Sequence, residues 1–198
     1  MSLISKQIKQ QPMKLKLSLL FFIIANTLMF SQNYYAKEFS KDVALYNSKN
    51  YLFKTVLGST TEITKFEIIP LAAASSGDLT TLLYKSESKE KEGLILGFYG
   101  NYWNEAGVVY QGFAFKNFEK IEAIEFLNKI QEAINENTKY LKTDNDNNNV
   151  FFKYDDIDVL IWSSSQDYTI RLFWNGFDSS WEKTAFDRSK RRFEKKIK

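Results

Sequence analysis

The chain of 198 residues contains no cysteine and no histidine, and only two prolines. Without cysteine there is no disulfide, no thiolate metal site, no cysteine nucleophile and no lipidated cysteine anchor. Without histidine there is no Ser-His-Asp or Cys-His catalysis, no imidazole-ligated zinc and no histidine pH switch. A domain without these staples must hold itself together by its apolar core.

Acidic residues are also missing from the N-terminus, where none precedes Glu38. Lys6, Lys9, Lys14 and Lys16 precede an apolar run, Leu17 to Phe30, broken only by Ser18, Asn26 and Thr27. A basic segment followed by a short apolar one is the pattern of a secretory signal. A spanning helix needs about 20 apolar residues, more than this run supplies. The sequence therefore predicts a signal peptide over 1–32 and an exported domain over 33–198, periplasmic or secreted. The competing expectation is an uncleaved membrane anchor. Met13 with Lys14, Leu15 and Lys16 starts a signal of ordinary length, so residues 1–12 read as the product of an upstream start.

The formal charge of +3 does not describe the exported part. Losing four lysines reduces 27 basic residues to 23 against 24 acidic ones, a net of −1. From Glu182 onward there are eight Lys/Arg and three Asp/Glu, or +5, which leaves a body near −6. An acidic body with a basic tail speaks against nucleic-acid binding. Aromatic residues make up 16% of the chain. Phe, Tyr, Lys, Asn and Ile share A/T-rich codons, so the aromatic count carries no argument and only placement does.

Periodicity predicts α+β: an antiparallel sheet with two helices in the order strands-helix-strands-helix, both helices packed on one sheet face. Residues 33–60 read equally as short strands or frayed helix. Ile63 to Ala72 reads as a strand whose Pro70 implies an edge or a bulge. Ser75-Ser76-Gly77-Asp78 reads as a turn, Leu79 to Lys85 as a strand and Lys85 to Glu92 as a charged loop. Leu94–Trp103 and Val108–Lys116 form a hairpin around Asn104-Glu105-Ala106-Gly107, with Gly107 suited to positive φ. Pairing Trp103 with Val108 puts Leu96, Phe98, Tyr102, Val109, Phe113 and Phe115 on one face. Tyr99, Asn101, Trp103 and Tyr110 then share the other face with Gly97 and Gly112. Phe118 to Leu141 is an amphipathic helix. Three strands follow, Val150–Tyr154, Ile157–Ser163 and Tyr168–Trp174, the last pair setting Ile157, Val159 and Ile161 against Trp174, Leu172 and Ile170. Asn175-Gly176 breaks the strand. Ser179 and Glu182 form a capping box for a final helix with the stripe Phe186, Phe193 and Ile197. The doubled strands-then-helix plan carries no clear residue-level match between its halves.

Three groups of residues are candidate sites. Asp144, Asp146 and Asn148, with Asp155 eleven residues after Asp144, have the spacing of a calcium loop, although Asn149 stands where the turn glycine belongs. Calcium is the only cofactor the sequence suggests. Tyr99, Asn101, Trp103 and Tyr110 form an aromatic platform for a sugar or a peptide, or else core beneath a helix. Arg188, Lys190, Arg191, Arg192, Lys195 and Lys196 form a basic surface for anionic lipid or glycan, or else a solvated helix face. Ser180 with Lys183 and Ser88 with Lys91 match the S-x-x-K spacing without its companion motifs. Carboxylate chemistry needs no histidine, and Asp155, Asp156 and Asp158 lie close together. Asp158 can equally pair with Arg171. The leading expectation is a non-catalytic module that binds a protein or an envelope glycan. The alternatives are a small carboxylate-dependent hydrolase and an envelope inhibitor or structural protein.

Overall fold

The computed structural model describes residues 45–58, 60–103, 109–143, 147–163 and 167–197, with backbone alone for 101–103 and 109–111. The predicted signal, 1–32, lies outside the described residues. Ser48–Lys198 is the second of two compact units; of the first, Met1–Asn47, only the helical residues 45–47 are described.

The second unit opens with a helix, α1 (48–56), whose last part is the π-helical turn Leu52–Val56. Then come β1 (Glu67–Ala73), β2 (Leu79–Ser86), β3 (Lys91–Trp103) and β4 (Val109–Glu119), and helix α2 (Lys120–Thr143). The pattern repeats with β5 (Asn149–Tyr154), β6 (Ile157–Ser163), β7 (Tyr168–Trp174) and β8 (Phe177–Glu182), and helix α3 (Lys183–Lys196). The fold is mixed α+β. It departs from the expected order in beginning with a helix and in having three helices among the described residues rather than two.

Each group of four strands is an antiparallel meander. The two meanders join into one sheet at a single residue pair, Tyr102 with Phe177. Both helices that follow a meander start directly from its last strand. An aromatic residue followed by Glu and Lys stands at each joint: Phe118-Glu119-Lys120 and Trp181-Glu182-Lys183. Phe118 stacks on Phe126 at 4.8 Å and Trp181 meets Phe186 edge-on at 5.0 Å. At both joints a buried aromatic on the last strand anchors the first turns of its helix.

One large core joins both meanders to both helices. It takes Leu83, Leu94, Leu96 and Phe98 from the first meander and Val159, Ile161, Ile170 and Leu172 from the second. The stripe Phe126, Ile130 and Ile134 of α2 and the stripe Phe186, Phe193 and Ile197 of α3 close over it. A second, smaller core lies on the other face of the first meander, where Leu52 and Val56 of α1 cover Leu82, Tyr84, Ile95 and Phe115. The first meander is therefore covered on both faces, which explains why β2 is buried almost throughout.

The register corrects two sequence expectations. Trp103 pairs with Val109 rather than Val108, and so Tyr99 pairs with Phe113 and Gly97 with Phe115. A shift of one residue moves every side chain of a strand to the opposite face. Phe113 and Phe115 accordingly pack beside Tyr99, at 6.5 and 6.0 Å between ring centres, and not beside Leu96 and Phe98. The second correction is β8. Asn175-Gly176 is a hairpin turn, with φ of 49° and 79°, rather than the end of the sheet. Ser179 and Glu182 lie in β8 and make no capping box; the residue before α3 has no side-chain cap bond. Both serve the β1–β2 turn instead. The Ser179 hydroxyl donates to the Asp78 carbonyl at 3.1 Å, and Glu182 accepts from the Ser75 amide and hydroxyl at 3.1 and 2.9 Å.

Pro70 lies on edge strand β1 beside a bulge, both features its presence implied. The bulge leaves Leu71 outside the register, and Arg192 of α3 donates to its carbonyl.

Candidate functional site

The calcium-loop set is not brought together as a whole among the described residues. Asp144 and Asp146 lie outside the described residues. Asn148 and Asp155 stand at opposite ends of β5, whose six residues separate them by about 20 Å at ~3.3 Å per residue. No single ion reaches both. Asn148 donates to the Tyr140 carbonyl at 2.7 Å and helps close the end of α2. Asp155 takes a φ of 54° in the β5–β6 turn and pairs with Lys116. Among the described residues no cluster of three acidic ligands could hold a metal.

Asp155 and Asp156 do come together, around one ammonium. Lys116 donates to Asp155 at 2.6 Å and to Asp156 at 2.5 Å, and Trp174 Nε1 donates to Asp156 at 2.8 Å. Burial raises the pKa of Asp156, but the hydrogen bonds from Lys116 and Trp174 more than offset it and hold the carboxyl below its ordinary value. Burial likewise lowers Lys116, and its two carboxylates more than reverse that. A glycosidase needs a carboxylic acid whose pKa is raised. This arrangement does the opposite. Asp158, the third acid of the group, pairs with Lys153 at 3.7 Å, and Arg171 pairs with Asp178 rather than with Asp158. Ser180, of the S-x-x-K match, sits in β8 against the Arg171 guanidinium.

Of the aromatic platform only the Tyr99 side chain is described. Its ring lies in the small core with Phe115, and burial pushes its phenol up to about 12. The register sets Tyr110 opposite Tyr102, not opposite Asn101. Tyr99 therefore packs, half-buried, against the small core, and the side chains of Asn101, Trp103 and Tyr110 lie outside the described residues.

The structure offers a different aromatic face. In β5–β8 one face feeds the large core. The other is formed by Phe151, Lys153, Asp158, Leu160, Trp162, Thr169, Arg171 and Phe173, none of which belongs to either core cluster. Phe151 is 63% exposed and Phe173 37%. Phe151, Leu160 and Arg171 form one cross-strand row, and Lys153, Asp158 and Phe173 the next. The charges on this face are paired with one another, Lys153 with Asp158 and Arg171 with Asp178. The sequence showed these strands but not this face, because their alternation reads as an ordinary half-buried meander. The signal was Phe151 and Phe173, large apolar residues at positions the alternation assigns to solvent.

The basic residues of α3 divide into two groups. Lys190 pairs with Glu194, and Arg192 holds the Leu71 carbonyl. Arg188, Arg191, Lys195 and Lys196 are exposed and pair with no acid among the described residues, the Lys196 backbone carbonyl accepting from Lys85. A shallow open groove of about 680 Å³ runs between the start of α2 and the end of α3, lined by Lys120, Ile124, Arg191, Glu194, Lys195 and Ile197. Among the described residues no helix is long and apolar enough to cross a membrane. No family model, curated protein or solved structure matches the chain.

Proposed function

We propose that the chain is an exported, non-catalytic binding module that presents the open face of β5–β8 to a neutral glycan of the cell envelope. The carrying observation is the exposure of Phe151 and Phe173 on the sheet face that lies outside both cores. Aromatic rings on a flat surface stack on the apolar faces of sugar rings. The ions around them are already satisfied in pairs, which favours a neutral partner over a charged one. The basic N-terminus and the apolar run Leu17 to Phe30 support export.

Affinity electrophoresis through gels containing neutral envelope polysaccharides tests this. The wild-type chain is expected to be retarded. The Phe151→Ala, Phe173→Ala double variant is expected to lose retardation about 10-fold or more, since each ring contributes about 1 kcal/mol. Its melting temperature should hardly change, because both rings are exposed. Equal retardation of both proteins would overturn the glycan reading. Loss of a pulled-down protein instead of a glycan would make this face a protein-interaction surface.

A further inference from the structure

We infer that the groove between α2 and α3 docks the protein on an anionic lipid surface. This rests on charge complementarity and is independent of the open face of β5–β8. Arg188, Arg191 and Lys195 recur at i, i+3 and i+7, so they form one stripe along α3. Lys120 stands on the opposite wall of the groove. The acid that lines the groove, Glu194, is already engaged with Lys190, and Lys120 pairs with Glu92 at 2.6 Å. The stripe keeps its charge for an outside partner. It lies in the segment that carries +5 on a body near −6, so the cation density is local and gives the molecule a definite positive pole.

The groove is also apolar where an ion-binding cleft would be polar. Ile124 and Ile197 line it, and Ile121, three residues before Ile124 on α2, is 70% exposed. Cations flanking an exposed branched side chain suit an interface with phosphate outside and hydrocarbon beneath. A free phosphate or a soluble polyanion has no use for the isoleucines. An anionic lipid headgroup with its attached chain uses both parts.

The test is co-sedimentation of the whole chain with phosphatidylglycerol vesicles and with phosphatidylcholine vesicles at 0.15 M salt. The expected result is binding to the anionic vesicles that weakens steeply as salt is raised. Each basic residue at the surface contributes about 5-fold, so Arg191→Gln with Lys195→Gln should weaken binding about 30-fold. Ile121→Ser should weaken it several-fold with every charge retained. Lys139→Gln with Lys142→Gln removes the same charge from the far end of α2 and should leave binding unchanged. Capture by the N-terminal segment, whose Lys6, Lys9, Lys14 and Lys16 also favour anionic vesicles, would appear alike in every variant and would overturn the inference. So would an equal loss in the Lys139/Lys142 variant, or inorganic phosphate or heparin bound as tightly as the vesicles.

Discussion

Lys116 decides how the β5–β6 turn responds to pH. The folded-state pKa of Asp156 lies below its unfolded value of about 3.9, so its contribution is present above about pH 4 and is lost as pH falls through the folded value. Lys116 is raised in the folded state, so its contribution is complete below about pH 10.4 and is lost as pH rises beyond that. No histidine titrates between these limits. Urea midpoints measured from pH 2 to 11 should therefore be level between about pH 5 and 9 and fall on both sides. A slope between pH 6 and 8 would contradict this. Lys116→Gln should weaken the acid limb as well as the alkaline one, because Asp156 loses the donor that depresses it. At Gly93, a Cβ would meet the Phe118 carbonyl at 2.0 Å and the Tyr84 hydroxyl at 2.7 Å. The first contact is with backbone and has nowhere to go. Gly93→Ala should cost about 1–3 kcal/mol or more in urea unfolding, as overpacking does; a neutral result would mean that β3 and β4 can separate at that pair.

At the scale of elements, the hairpin turn between β7 and β8 carries the second meander's last strand. Gly176→Ala, at a φ of 79°, should destabilise by about 1–2 kcal/mol, read from the denaturant midpoint. The same turn shows why part of the fold was legible and part was not. Strands β6 and β7 appear in the sequence with their correct ends, because Ile157, Val159 and Ile161 alternate without interruption. Strand β8 has the same alternation, but its middle inward position is the small, polar Ser179, which is buried by contact with the β1–β2 turn. Hydrophobic periodicity cannot register a buried serine whose partner lies about a hundred residues away. The β3–β4 register failed for a related reason: both faces of that hairpin are apolar, because α1 covers the second, so the pattern does not say which side is the core. The basic stripe on α3 was visible as a composition. Which of its cations pair with no acid was not, since that depends on Glu194, Leu71 and the groove opposite.

For the whole molecule, the sharing of one core by both meanders and two helices matters more than the single backbone pair between the meanders. Neither half can expose its inner face without exposing the other's. Thermal and urea unfolding should be one cooperative transition, with far-ultraviolet circular dichroism and tryptophan fluorescence coinciding. Two separated transitions would show that the meanders fold independently. No disulfide links the halves, so this shared core is their main tie, helped by the bonds of Ser179 and Glu182 to the β1–β2 turn and of Lys116 to Asp155 and Asp156. Its weak line is the seam at Tyr102 and Phe177.

That seam has a mechanical meaning. Within a meander, a load along the strands is resisted by many hydrogen bonds sheared at once. Across the seam there is one backbone pair, supported by side-chain packing, which yields to small displacements because dispersion forces are short-ranged, and by a few side-chain bonds such as those of Glu182 to Ser75 and Lys116 to Asp155 and Asp156. Pulled at its two ends in a force spectrometer, the domain should part first between the meanders, at low force, and each four-stranded piece should then yield separately.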